Sequence, residues 1–372
     1  MKLFMTMMMF IIVYAPLLGI FALTPYITRK TESFGVSIPE QIYADPEVKK
    51  IRDTYRNNVL LWGGIVAIIS FIADVLLLPQ SDFFFLPFGI AAEMVLLFAF
   101  YLKGHKQMKR LKQYKNWTAN TPQKVIIDTD FRKKSMLVSP WWFLSYAVVI
   151  LATLGLGLLM YDTIPDRIPM NYNMSGEITR WVNKSYKVLF FAPASQTFIT
   201  FLMMFVYRII GKAKQQIHPA YPEKSVEQNR IFRYRWSAFT VFMGLAVLGL
   251  FGFTQLSMTG IITNPWIIMT VPLMITGIIV AAAVVLSVTT GQGGSRIAVG
   301  KKASGEVINR DEDQYWKLGV FYYNPEDPAL FVEKRFGVGW TNNFARPMSW
   351  VMLVGLLILI VLFVIGTTRM TG

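Results

Sequence analysis

The chain of 372 residues contains no cysteine and only two histidines. The first absence excludes disulfides, thiol nucleophiles and thiolate metal sites. The second leaves little for imidazole chemistry. His105 and His218 lie far apart, each without a second histidine at ligand spacing, so no metal site is expected. No His-Glu-x-x-His helix and no Gly-x-Ser-x-Gly elbow occurs. Gly291–Ser295 is glycine-rich but lacks the Gly-Lys-Ser ending of a phosphate loop, and reads as a flexible linker. These gaps argue against an enzyme, and no catalytic residue or cofactor is assigned. Acidic residues are also few, 22 against 37 Lys and Arg, which leaves a net charge of +15. Asp311-Glu312-Asp313 and Glu326-Asp327 read as a solvated acidic patch facing basic loops rather than a divalent-cation site.

Apolar residues are abundant. They form 54% of the chain, and the mean hydropathy is +0.43, too high for an ordinary soluble domain. Eight apolar spans stand out, at 3–27, 59–78, 83–102, 141–161, 186–207, 236–258, 266–289 and 349–367. Each approaches the roughly 20 residues that a helix needs to cross a bilayer. The connecting segments 28–58, 103–140, 208–235 and 290–348 hold six, ten, seven and eight basic residues; 79–82, 162–185 and 259–265 hold zero, three and zero. Basic loops stay on the cytoplasmic side. The expected architecture is therefore an all-α integral protein of the plasma membrane with about eight transmembrane helices, both termini outside and a small β-hairpin-containing cytoplasmic segment. Span one has only Lys2 before it and no small-x-small cleavage site ahead of Arg29 and Lys30, so it reads as a retained helix. The run Lys103, Lys106, Lys109, Arg110, Lys112, Lys115 directly follows an apolar span. Attraction to lipid headgroups explains it, and the expected partner is the bilayer, not nucleic acid. Trp141, Trp142, Trp181, Trp236, Trp266 and Trp350 sit near span ends, where aromatic rings favour the interface.

The chain divides into 1–140, three spans with basic loops; 141–210, a helix pair carrying an outer loop; 211–289, a cytoplasmic loop and helix pair; 290–348, a small cytoplasmic domain; and 349–372, the last span and tail. Leu78–Asp82 makes a hinge between spans two and three. Asp45 is a helix N-cap with Pro46 at the first helical position, predicting a short basic amphipathic helix on the inner leaflet or against another loop. Ser225-Val226-Glu227-Gln228 has capping-box spacing and predicts a helix starting there and running into span six. Val125–Ile127 and Met136–Val138 flank Asp128–Lys134 as a hairpin pattern, and Trp316–Tyr323 and Ala329–Phe336 read as two strands joined by Asn324–Pro328. Ser33-Phe34-Gly35-Val36 faintly echoes Arg335-Phe336-Gly337-Val338, within chance.

Two carboxylates, Asp74 and Glu93, fall inside apolar spans, where an ionisable group is costly and a functional candidate by default. A shared proton or cation there would suit a coupled carrier. Equally, Asp74 could snorkel outward and Glu93 could bond a neighbouring helix in neutral form. The outer loop Ile164–Lys184 gathers amides, aromatics and both charge signs around two prolines and Gly176. Such a compact lid suits an extracellular peptide or other envelope ligand, with Pro169, Asn171, Tyr172, Asn173, Gly176, Arg180, Trp181 and Lys184 as candidate contacts. The bland reading is a solvated connection. A membrane scaffold with a cytoplasmic docking domain is the remaining alternative, and a cytoplasmic protein is its partner.

Pro165, Pro169, Tyr172, Asn173, Gly176, Trp181 and Lys184 stand at the positions of a pattern Pro-x-x-x-Pro-x-His-aromatic-Asn, then Gly, then Trp and Lys. In this the loop resembles a bacterial membrane family of unknown function whose domain also occurs in SdpI-like proteins, which give immunity to a secreted toxic peptide. Asn171 stands where that family usually has histidine. The stretch Asp313–Pro347, with Asn324, Pro325, Asp327, Arg335, Gly337, Trp340 and Asn343, is similar to a second uncharacterised domain found on such proteins. The resemblance implies an envelope-sensing or immunity role.

Overall fold

The computed structural model describes residues 2–77, 84–117, 136–218, 221–299 and 312–371. Eight helices among them are long and apolar enough to cross a membrane. They are α1 (Lys2–Ile27), α2 (Pro46–Leu76), α3 (Leu86–Tyr114), α4 (Phe143–Leu159), α6 (Phe191–Lys212), α7 (Pro222–Met258), α8 (Pro265–Thr290) and α9 (Pro347–Thr371), with the single turn α5 (Tyr186–Leu189) leading into α6. Helices α1, α2 and α3 pack together, as do α4, α6 and α7; α8 touches α1 and α7, and α9 lies along α6. Exposed Leu, Ile and Val dominate the outer faces of α8 and α9, as a lipid environment requires.

Helix α7 has 37 residues and α2 has 31. At 1.5 Å per residue they span about 55 Å and about 46 Å, more than a hydrocarbon core of about 30 Å. Their basic first turns thus project at one end of the bundle, where the last turns of α3 also arrive. The opposite end carries the segment 161–185. There Met258, ending α7, packs with Ile164 and Ile168, Phe4 of α1 meets Trp266 of α8, and Arg180 bonds the carbonyl of Thr371 at 2.5 Å. The starts of α1 and α8 and the ends of α7 and α9 therefore share the hairpin end.

Several local expectations are corrected. Asp45 does accept from the Glu47 amide ahead of Pro46, but the helix it caps is α2 itself, with no break before the apolar span. Val48, Arg52 and Tyr55 are buried against other loops, the second of the two placements expected for this stretch. Helix α7 starts at Pro222, three residues before the capping-box serine; Ser225 Oγ instead accepts from the His218 amide at 3.0 Å. Residues 316–323 do not form one strand. Leu318 and Gly319 both take positive φ, which folds β5 (Trp316–Lys317) back on β6 (Phe321–Tyr322). The second segment pairs onward, β7 (Phe331–Glu333) with β8 (Trp340–Asn342), and nearer the start of the chain β1 (Glu32–Ser33) pairs with β2 (Val36–Ser37). Nor is Gly291–Ser295 a free linker. It is a buried turn in which a Cβ at Gly294 would meet the Gln228 carbonyl at 2.2 Å. The hinge Leu78–Asp82, nearly all of the 125–138 pattern including Asp128–Lys134, and Asp311 lie outside the described residues.

Candidate functional site

The segment Ile164–Lys184, expected to form a compact lid, is a two-stranded hairpin, β3 (Arg167–Tyr172) against β4 (Ile178–Asn183). Ile168 turns inward onto Val188, Leu189 and Met258. Asn173 makes the turn: its Oδ1 accepts from the amides of Ser175 at 3.0 Å and Glu177 at 2.9 Å, while Nδ2 donates to Glu177 Oε2 at 2.8 Å. Gly176 supplies the left-handed residue, φ +84°, that such a turn needs. Lys184 closes the mouth of the hairpin. Its Nζ donates to the Ile164 carbonyl at 3.0 Å and lies 4.8 Å above the Tyr161 ring, itself stacked on Tyr186. Of the eight candidate contacts, Asn173, Gly176 and Lys184 thus shape the hairpin, and Pro169 faces Trp181 across it. Asn171 and Trp181 are exposed and Tyr172 half-buried. Arg180 binds the last turn of α9.

Within the bundle, Asp74 does not snorkel. Its Oδ1 accepts from the Phe85 amide at 2.8 Å, at the start of α3, and its other oxygen is buried without a partner among the described residues. Glu93 is fully buried against Gly63 of α2, and neither of its oxygens has a hydrogen-bond partner among the described residues. It therefore bonds no neighbouring helix, as the neutral-acid reading had required.

The basic end holds a network that sequence reading did not assemble. Glu333, buried on β7, accepts from the Arg29 guanidinium through Oε2 and from Asn229 Nδ2 at 2.6 Å through Oε1. Asn229 accepts in turn from Arg233 Nε at 2.7 Å, and Arg233 donates to the carbonyls of Ile210 at 2.6 Å and Ala213 at 3.0 Å. Arg29 also donates to Gln216, whose Nε2 donates to Glu32 at 3.1 Å. Arg335 binds Asp313 at 2.5 Å and lies over the Trp316 ring, while Lys112 of α3 holds the other Asp313 oxygen at 2.7 Å. Asp313 is therefore an ion-paired anchor, not part of a solvated patch. Asp327 is likewise buried and takes Lys214 at 2.6 Å and the Tyr322 hydroxyl at 2.8 Å. Among the described residues no group of three or more His, Asp and Glu could hold a metal ion.

Burial works to raise both aspartates. Arg335 and Lys112 outweigh it at Asp313, and Lys214 with the Ala329 amide does so at Asp327, so both stay below the usual carboxylate range. At Glu32 burial prevails over Arg29 and Arg335 and lifts the carboxyl. Burial also lowers His218, which stacks on Tyr221 with ring centroids 3.9 Å apart. A cleft of about 180 Å³ opens here, lined among others by Arg29, Lys30, Glu32, Glu40, His218 and Tyr221.

The remaining candidates on 312–346 hold that piece together. Asn343 joins Asn324 and Asp327 through both ends of its amide, Asn324 Oδ1 caps the amide of Glu326 after Pro325, and Gly337 takes φ +90° beside Thr28. Trp340 packs on Phe232 of α7, ring centroids 5.4 Å apart. The echo of Phe34 and Phe336 proves spatial: the two rings stack at 5.6 Å, with Tyr55 and Tyr101 around them. One sequence signal could have pointed to the missed network, the i, i+4 pair Asn229 and Arg233 on an otherwise buried face of α7.

Residues 148–197 match the family model described as a domain of unknown function (DUF1648), and residues 325–350 match a family of unknown function (DUF5808). The first stretch contains the hairpin, and the second runs from Pro325 into the start of α9. Neither description assigns a ligand, an activity or a link to toxin immunity. No curated protein and no solved structure matches the chain. The chain is a multi-pass membrane protein that carries two domains of unknown function.

Proposed function

We propose that this protein is a non-enzymatic plasma-membrane receptor. An envelope-active peptide or other envelope ligand binds its outward-facing hairpin, and the basic end, on the cytoplasmic side, relays the bound state in immunity or envelope-stress sensing. One observation carries the reading. The hairpin is rigid through its own bonds, leaves Asn171, Tyr172 and Trp181 accessible, and joins the end of α9 through Arg180. At its other end, α9 continues directly from the ion-paired 312–346 piece. A ligand that displaces Arg180 would change what holds α9, and α9 could pass that change to the opposite end.

The orientation follows from the basic loops. The test is growth of a deletion strain and its complement against a panel of membrane-active peptides and cell-wall antibiotics. Selective sensitivity, rescued by the wild-type chain and not by the Tyr172→Ala, Trp181→Ala variant, is the expected result. Equal growth of all three strains across the panel would remove the receptor reading.

A further inference from the structure

The interior of the α1–α2–α3 bundle holds polar atoms that the hairpin does not use. Glu93 is 0% exposed and Asp74 and Tyr14 are each 3% exposed. Both Glu93 oxygens and Asp74 Oδ2 have no hydrogen-bond partner among the described residues, and the Tyr14 hydroxyl meets that of Ser70 at Gly89. Burying a polar atom unsatisfied is costly, so a purely structural role leaves an acid at Glu93 without an explanation.

These groups lie at successive heights. Asp74 sits level with Phe85, whose amide it binds. One turn further along α3, the hydroxyls of Tyr14 and Ser70 both press on Gly89, where a Cβ would meet them at 2.3 and 2.1 Å. One turn beyond that, Glu93 rests on Gly63, where a Cβ would meet its Oε1 at 2.4 Å. From Phe85 to Glu93 the helical rise is about 12 Å. The two carboxyls are thus too far apart to ligate one cation, yet hydroxyls stand between them. Phe10, Val13, Phe71, Leu86 and Ile90 surround the column with apolar walls.

We propose that Glu93, Ser70, Tyr14 and Asp74 form an intramembrane proton-binding site, in which Glu93 is a neutral carboxylic acid that exchanges its proton toward the hairpin end by way of the two hydroxyls and Asp74. An ionised Glu93 would stand in an apolar interior with no counter-charge bonded to it among the described residues, which favours the neutral acid. The titratable groups facing the column are Tyr14 from α1 and Asp74 from α2. Glu93 is bonded to neither hydroxyl among the described residues, so its transfer follows a side-chain rotation that brings the carboxyl toward them. Loss of the proton leaves carboxylate; its return restores the acid, and nothing else is consumed. The site is separate from the receptor reading, since it needs no hairpin ligand.

The test is an infrared titration of the full-length protein in liposomes. The expected result is a protonated-carboxyl stretching band that disappears reversibly on alkalinisation, is missing in Glu93→Gln and moves to a different pH in Asp74→Asn. Absence of the band overturns the proposal. A band that persists at every pH and resists exchange with deuterated buffer also overturns it, because Glu93 would then be a locked structural acid. A band removed by sodium ions at constant pH would make the site a sodium site and overturn it as well. If Glu93→Gln fails to fold, the wild-type titration and the Asp74→Asn shift decide alone.

Discussion

The two ends of the bundle are built on opposite plans. At the hairpin end, the bonds that shape the candidate motif are nearly all local: Asn173 to Ser175 and Glu177, and Lys184 to Ile164. At the basic end, Arg29 meets Glu333 and Lys112 meets Asp313, across hundreds of residues of chain. Local bonds set the shape of the hairpin from within, and Ile168 and Arg180 are the links that tie it to the bundle. Long-range buried ion pairs make a lock, because removing either partner leaves the other uncompensated. The difference teaches that a motif is legible in sequence where its bonds are local, and hidden where they join segments far apart in the chain.

Substitutions should separate the two plans. The largest effect is expected from Glu333→Ala, which leaves Arg29 and Asn229 without their acceptor; a loss of about 3–5 kcal/mol should appear in unfolding of the full-length protein in detergent. A loss within experimental noise would break the contrast. Next comes Gly35→Ala, at φ +73° with a Cβ 2.3 Å from the Gly319 carbonyl. It should cost about 1–3 kcal/mol by thermal melting, more than Gly176→Ala, where only the left-handed backbone is strained.

Acid should act on the basic end first. Asp313 is held below the usual range in the fold, as is Asp327, so the unfolded chain binds protons more readily there. Their stabilisation is fully present above the ordinary aspartate value of about 3.9 and is lost as pH falls through the lower folded values. Melting temperature should therefore drop on acidification through that window, and Asp313→Asn should flatten the slope. The smallest global effect is expected from Asn173→Ala. It removes the turn bonds, worth about 1 kcal/mol each, and should speed amide exchange within 167–183 while leaving bundle melting unchanged. Slowed or unaltered exchange there would show that the hairpin leans on the bundle after all.

Much of the fold was legible because its signals are local. Apolar runs at helix length marked all eight spans, alternation of basic loops grouped the ends, and Asp45-Pro46 marked the start of α2. What escaped depended on contacts between distant segments. No periodicity announces that Arg233 is fully buried, because its neutralising partners come from β7 and from the carbonyls that end α6. The turn at Leu318-Gly319 escaped because a leucine with positive φ carries no residue signature. At the candidate site, the sequence pattern located the hairpin but could not sort its residues. Asn173 and Lys184 look like ligand contacts on paper, and in the structure their polar atoms are already taken up by the hairpin itself.

The most direct test of the central claim pairs two readings on one variant, Tyr172→Ala, Trp181→Ala. Trp181 is 51% exposed, and changes at such surface positions usually stay within about 0.5 kcal/mol each. The account predicts melting indistinguishable from wild type together with loss of protection in the complemented deletion strain. Full protection by that variant, inserted and equally stable, would contradict it.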